Sequence, residues 1–320
     1  MRFYDVFNGD ADGICALLQL RLAEPREAVL VTGVKRDMQL MKRIPLDPPA
    51  DITALDISLD KNRDAVDALL AAGSDIFYVD HHYPGESLPV VPSFTGLIDT
   101  QPTTCTSLLV DQHLQGQFHH WAIAAAFGDN LNAVAKDLAQ RAGLSAAQTE
   151  SLETLGVCMN YNGYGATIDD LHFHPAQLYE AFLAYDDPLD LVAASPDTWR
   201  VLRNGFNDDM AQGLAAAVEH NTDAVRVVRL PNARWARRVS GVLGNELANR
   251  HPDQACIILT EKIDGTLLVS IRAPLNNRRG AMDVARQFDT GGGREAAAGI
   301  NALPEAELGR FLKVLEERYG

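Results

Sequence analysis

The stretch DITALDISLDKNRDAVDALLAAGSDIFYVDHH, residues 51–82, sets two β-rich runs on either side of one amphipathic segment. DITALDI and SDIFYVD read as strands. KNRDAVDALLAAG, between them, carries apolar residues three and four apart and ends at Gly73, the residue type that most easily turns left-handed after the last turn of a helix. A strand, a helix long enough to cross back and a second strand make a parallel pair. The same alternation extends towards the N-terminus. RFYDVF (2–7) and EAVLVTG (27–33) read as strands, GICALLQLRLA (13–23) as a helix, and residues 38–43 as a short helix. The expectation is an α/β fold: an N-terminal, mostly parallel sheet flanked by helices.

From Thr103 to about His220 the pattern is helical, in AIAAAFGDNLNAVAKDLAQRAG, SAAQTESLETLGVCMN and PAQLYEAFLAYDD. The Pro- and acid-punctuated run 186–197 reads as a boundary, followed by a connecting helix. After Thr222 strand signals return in AVRVVRL, ACIILTEK and TLLVSIRA, the last two joined by Asp264-Gly265, a strong hairpin signal. The expected organisation is a first domain over 1–190, a connecting helix or linker over 191–221, and a smaller α/β domain over 222–320, with an active-site cleft between the domains.

The 320 residues are 47% hydrophobic and 22% charged, which suits folded globular domains and argues against disorder. The net charge of -15 disfavours binding to an extended duplex. That excess of acid lies in residues 1–221, however, while 222–320 carry a slight basic excess, so a short anionic ligand remains compatible. The N-terminus meets acidic residues too early for a signal peptide, and no apolar run is long enough for a membrane span. Cys15, Cys105, Cys158 and Cys256 show no CxxC spacing, so reduced thiols in a cytoplasmic protein are expected.

Acids and imidazoles gather just past the strand ends: Asp10 and Asp12 after the first strand, Asp56 after the third, Asp80 leading into His81 and His82 after the fourth. Ligand sites in parallel sheets lie at these carboxyl edges, so the groups can converge. Taken singly, each has a plain structural reading. Asp12 suits the N-cap of a helix starting at Gly13, Asp56 suits another cap, and His81-His82 suits an exposed turn. Taken together they form a crowd of carboxylates with imidazole and no nearby lysine. Crowded carboxylates raise one another's pKa unless a cation neutralises them, which points to a divalent metal, and this donor set suits manganese.

NGDADG (8–13), LDIS (55–58), VDHH (79–82) and AFGDN (126–130) resemble the four ordered motifs of the DHH-superfamily phosphoesterases, among them nanoRNase/pAp phosphatases and RecJ-like enzymes. SIRA (270–273), AMDVARQF (281–288) and GGGREAAAG (291–299) resemble the DHH-associated C-terminal domain. The resemblance implies two manganese ions, with magnesium as the alternative. Asp10 and Asp56, assisted by the residue at Asn8, would hold the first; Asp12, Asp56, His81 and Asp129 would hold the second, with Asp56 bridging. His82 would face the substrate phosphate, and a metal-activated water would attack phosphorus.

The chain departs from the family pattern at two positions. Asn8 stands where His or Asp is usual and offers a neutral oxygen. Arg294 stands where the glycine loop usually has His, and still reads phosphate.

Arg272, Arg278, Arg279 and Arg294, with Gly291, Gly292 and Gly293, are the expected phosphate-binding residues, although the glycines also read as a mobile turn. The run Arg226–Arg238 reads as a solvated basic face. The YNGYG segment (161–165) is a weaker candidate for lining the cleft. RecJ-like processive exonucleases carry further nucleic-acid-binding domains, and the superfamily's pyrophosphatases have a different C-terminal domain. The expected substrate is therefore a short oligonucleotide, a linear or cyclic dinucleotide, or a 3′-phosphoadenosine nucleotide. The alternative is a catalytically weak or inactive nucleotide-binding regulator of the same fold. The oligomeric state stays open, with a homodimer among the options.

Overall fold

Strand β1 (Arg2–Phe7) opens the computed structural model, which describes residues 2–320. After it come α1 (Ala11–Ala23), β2 (Val29–Val31), β3 (Ala50–Leu55), α2 (Leu59–Ala71), β4 (Asp75–Asp80) and β5 (Phe94–Ile98). The five strands pair in parallel in the order β2-β1-β3-β4-β5. In that order the connections diverge between β1 and β3, and such a divergence opens a crevice at the carboxyl edge of the sheet. Asn8, Asp10 and Asp12 follow β1, and Asp56 follows β3. Gly73, just beyond α2, has φ +92°, as its expected place past the helix end requires.

Seven helices follow: α3 (Thr106–His113), α4 (His119–Gly128), α5 (Asn132–Arg141), α6 (Ala146–Asn162), α7 (Pro175–Phe182), α8 (Pro188–Ala194) and α9 (Asp197–Leu214). Of these, α3, α4, α6 and α7 pack on α1, which is buried from Ala11 to Arg21. Apolar residues all round suit a helix enclosed on every side. Its one arginine is tolerated because Arg21 grips the buried Asp5 with two hydrogen bonds, of 2.8 and 2.5 Å.

The pattern from Ala122 to Gly143 is two helices rather than one continuous run. The chain breaks at Asp129 and Asn130, the latter at φ +62°, and the break leaves Asp129 at the C-terminus of α4. The stretch 186–197 contains α8, capped by Asp187, whose carboxylate accepts from the Leu189 amide at 2.8 Å.

Helices α4 and α6 cross at glycines. A Cβ on Gly156 would lie 1.9 Å from the Ala124 carbonyl oxygen, and one on Gly128 would lie 2.5 Å from Ala11 Cβ. The clash at Gly156 is with backbone, which cannot give way cheaply. Gly156→Ala is therefore expected to destabilise the chain by about 3 kcal/mol, read as a lower denaturation midpoint. An unchanged midpoint would mean that the helices separate freely.

The chain divides into two compact units, Met1–Gly205 and Phe206–Gly320. The second holds β6 (Val218–Asn221), β7 (Val225–Leu230), α10 (Arg234–Arg250), β8 (Ala255–Glu261), β9 (Thr266–Arg272), α11 (Ala281–Ala285), β10 (Gly291–Gly293), β11 (Ala297–Pro304) and α12 (Leu308–Tyr319). Its six strands run in the order β10-β11-β9-β8-β7-β6, and only β7 and β8 pair in parallel. The β8–β9 hairpin turns at Asp264 and Gly265 as expected, with Gly265 at φ +77°.

The glycine run is strand β10 rather than a mobile turn. A Cβ on Gly291 would meet the Ala285 carbonyl oxygen at 1.7 Å, and one on Gly293 would meet Ala298 Cα at 2.4 Å, so close packing requires glycine at both. All four cysteines are buried free thiols. Among the described residues, no helix is long and apolar enough to cross a membrane.

Candidate active site

Three strand ends of the first unit bring their acids together. Asp10 is the N-cap of α1: its Oδ1 accepts from the Asp12 and Gly13 amides at 3.0 and 3.2 Å. The cap is thus Asp10, not Asp12, and the helix begins at Ala11. Asp12 serves a different helix. Its two oxygens accept from the amides of Thr106 and Ser107 at 2.7 Å each, the first turn of α3. These bonds satisfy two amides that every helix start leaves unpaired, and they place a negative charge at the positive end of α3.

Asp56 follows β3 at φ +58°, a left-handed conformation that Asp and Asn tolerate better than most residues. It accepts from Thr106 Oγ1 at 3.2 Å. His81 Nε2 faces three carboxylates: Asp56 at 3.4 Å, Asp12 at 3.8 Å and Asp129 at 3.9 Å. These gaps are wide for hydrogen bonds and close to the roughly 3 Å spacing of ligands around one octahedral ion. Two groups can therefore hold a metal, Asp12–His81–Asp129 and Asp56–His81–His82.

The imidazole of His82 is oriented by Asp80, whose Oδ1 lies 2.7 Å from Nδ1. Burial alone would lower the His82 pKa, but Asp80 and the other acids outweigh it and hold it above its ordinary value.

Crowding shows in the carboxyl groups. Burial, together with Asp12, Asp10, Asp80 and Asp129, pushes the Asp56 carboxyl well above the usual range. Burial and Asp12 raise Asp129 to about 6, against the pull of Lys35. Asp10 moves the other way. Burial pushes its carboxyl up, but Lys35 and the capped amides bring it below its ordinary value. The side-chain oxygen of Asn8 is buried without a hydrogen-bond partner, while its amide nitrogen donates to the Lys35 carbonyl at 3.3 Å. Buried carboxylates crowded around one imidazole nitrogen fit a divalent cation.

Lys35 corrects the expectation of an acid cluster with no lysine nearby. Its Nζ lies 2.5 Å from Asp10 Oδ2, 3.5 Å from Asp129 Oδ1 and 2.9 Å from Asn160 Oδ1. It follows β2, which pairs with β1, so the edge rule that located Asp56 locates Lys35 as well once the strand order is known. Asn160, near the end of α6, donates to the Tyr164 hydroxyl at 3.1 Å. In the YNGYG segment, Asn162 instead makes a pair of hydrogen bonds with the Phe173 backbone, a structural role.

The expected phosphate residues belong to the second unit. Arg272 is tied by its own side chain to Asn245 at 2.6 Å, Ser270 at 3.0 Å and the Gly241 carbonyl at 3.3 Å. Arg272 and Arg278 line a cavity of 260 Å³ with Asn245 and Asn249. Arg279 and Arg294 are exposed, and Gly291, Gly292 and Gly293 form the edge strand β10. The run 226–238 is more than a solvated face: Arg238 is buried against Asp209, and Arg229 binds Glu261 and Glu305.

No protein-family model and no curated protein matches the sequence. Solved structures do match. RecJ from Thermus thermophilus, in complex with Mn2+, aligns at a TM-score of 0.63 and 17% identity over 99% of this chain and 51% of its own. This chain thus spans about half the length of that RecJ. An exonuclease RecJ bound to manganese aligns at 0.62 and 17% identity over 99% of this chain and 89% of its own. A pGpG-specific phosphodiesterase, PggH from Vibrio cholerae, aligns at 0.58 and 13% identity over 99% and 98%. At such identities the likeness establishes the fold. RecJ-like enzymes are among those that the motifs resemble, so the fold agrees with that resemblance.

Proposed function

We propose that the chain is a divalent-metal-dependent DHH phosphoesterase that hydrolyses short nucleotide substrates, with manganese as its ion. The observation that carries this reading is the convergence of Asp12, Asp56 and Asp129 on His81 Nε2, at 3.4–3.9 Å, at the carboxyl edge of a parallel sheet. The shared fold with RecJ and PggH supports it. Asp12, Asp56, His81 and Asp129 would hold the ion. When bound, it supplies Lewis acidity and a water that is nucleophilic at neutral pH.

The chain's own residues prepare the rest. The amides of α3 fix the Asp12 carboxylate in position. Thr106 orients Asp56 through its hydroxyl. Asp80 keeps His82 in one orientation and, with the surrounding acids, holds its proton more firmly than usual. His82 is thereby suited to donate to a phosphoryl oxygen or to the leaving oxygen. Arg278, Arg279 and Arg294, together with Arg272, supply the positive charge that recognises substrate phosphate.

The shared fold with PggH, a pGpG-specific phosphodiesterase, supports a linear dinucleotide among the short substrates. The test is turnover, in Mn2+, of pGpG, pApA, cyclic di-AMP, 3′-phosphoadenosine 5′-phosphate, pyrophosphate and single-stranded DNA. Linear dinucleotides should be cleaved fastest, and pyrophosphate should be inert. Tight nucleotide binding with no turnover of any compound would overturn the enzyme reading in favour of a nucleotide-binding regulator.

A further inference from the structure

Lys35 is built into the acid cluster from several sides. Its amide donates to the Gly163 carbonyl at 2.9 Å, and its carbonyl accepts from Asn8 Nδ2 at 3.3 Å, so the backbone is held at both the α6 end and the β1 end. The ammonium lies 5.9 Å from the centre of the Tyr164 ring. A lysine has three N–H donors, and three oxygens surround this one: Asp10 Oδ2 at 2.5 Å, Asn160 Oδ1 at 2.9 Å and Asp129 Oδ1 at 3.5 Å. Asn8, in turn, brings no charge to the place where a carboxylate would help to hold a cation. One anion fewer and one fixed cation more both act against a second divalent ion at Asp10, because two positive charges a few ångströms apart repel strongly in a buried site.

We propose that Lys35 is a tethered cation that does at Asp10 the electrostatic work of one ion of a metal pair, so that the chain takes up a single tightly held divalent ion, at Asp12, Asp56, His81 and Asp129. The inference rests on the metal-centre reading above and adds the number of ions and the residue that sets it. Lys35 is then a positioning residue for the charge balance of the site, and it keeps Asp10 neutralised whether or not metal is present.

The test is a count of bound ions on the full chain, stripped with a chelator and titrated with MnCl2, read by calorimetry and by the paramagnetic resonance of bound Mn2+. The wild-type protein should bind one tight ion with the spectrum of isolated Mn2+. Lys35→Met keeps an apolar stem against Tyr164 and removes the charge. It should gain a second ion, with an affinity on the order of a hundredfold above any weak second binding in the wild type, and the spectrum of a spin-coupled pair. Lys35→Arg should return the count to one. Two tight, spin-coupled ions in the wild-type protein would overturn the proposal, and so would a single ion in Lys35→Met. Should Lys35→Met fail to fold, the wild-type count and spectrum decide alone. One ion without turnover of any substrate would leave this inference standing and remove the enzymatic one. No bound ion at all would remove both.

Discussion

Asp56→Asn should lower phosphoester hydrolysis by at least about 10³-fold while leaving the fold intact. Asn accepts the left-handed backbone that Asp56 adopts at φ +58°, so the substitution adds no conformational strain there. It also keeps an oxygen for Thr106 Oγ1. What disappears is the charge of the carboxylate nearest to His81 Nε2, at 3.4 Å. That carboxylate is repelled by Asp12, Asp10, Asp80 and Asp129, so the metal-free variant should be no less stable than the parent, and its melting midpoint should stay level or rise. Turnover within tenfold of wild type would show that Asp56 is not a ligand of the working site. A large fall in the midpoint would show that the charge is structural.

The stability of the metal-free protein should increase as pH falls from about 7.5 to 5.5, the reverse of what most carboxylate-paired proteins show. Asp129 titrates at about 6 in the folded chain, against an ordinary value of 3.8, and Asp56 is raised as well. Over that interval the folded state binds protons that the unfolded chain releases, so folding takes up protons and acid favours it. The penalty is complete above the folded value and is lifted as pH falls through it. For Asp129 alone the full penalty is about 3 kcal/mol, of which roughly 1 kcal/mol is lifted between pH 7.5 and 5.5 and the rest only as pH approaches the ordinary value of 3.8.

His82 adds in the same direction. Its raised pKa gives stability that is full below the unfolded value near 6.5 and is lost as pH rises through the folded one. Asp10 is lowered, so its opposing contribution fades only when the solution is acidic enough to protonate it, below the ordinary carboxylate range. Mn2+ should invert the trend, since the ion needs deprotonated carboxylates and protons compete with it as pH falls through 6. Melting curves with chelator and with Mn2+ across this range check both arms. A metal-free midpoint that is flat or falls towards pH 5.5 would mean that the carboxylates are not crowded in solution.

The parallel sheet was legible because each strand in residues 1–80 is a short apolar run bounded by a helix or a turn. The positions of Asp10, Asp12, Asp56, His81 and His82 then followed from one rule about strand ends, and Asp129 followed from its motif. Lys35 was not legible for a physical reason. It lies 25 residues from Asp10 in the chain and reaches the site only because β2 lies beside β1, and lateral strand order is set by packing that periodicity does not encode. Strands β5 and β11 were missed for another reason. FTGLI and AAGINALP carry glycine or proline among few β-branched residues, so pairing with their neighbours, rather than local preference, makes them strands. The glycine run is the extreme case, a strand with no side chains at all, recognisable only from what its missing Cβ atoms would strike.

Asp12 is held by two amides of α3 at 2.7 Å each, and this matters to anyone who wants to capture the protein with its ligand. An inert variant made by deleting Asp12 would unfasten the first turn of a helix along with the ion, and lost binding could not be told from lost chemistry. A bait for soaking or pull-down is better made at His82, whose side chain is 37% exposed and whose hydrogen bond runs to Asp80, at 2.7 Å. His82→Asn would leave Asp10, Asp12 and both capped helices in place, slow the chemical step, and allow the occupant to be identified by mass.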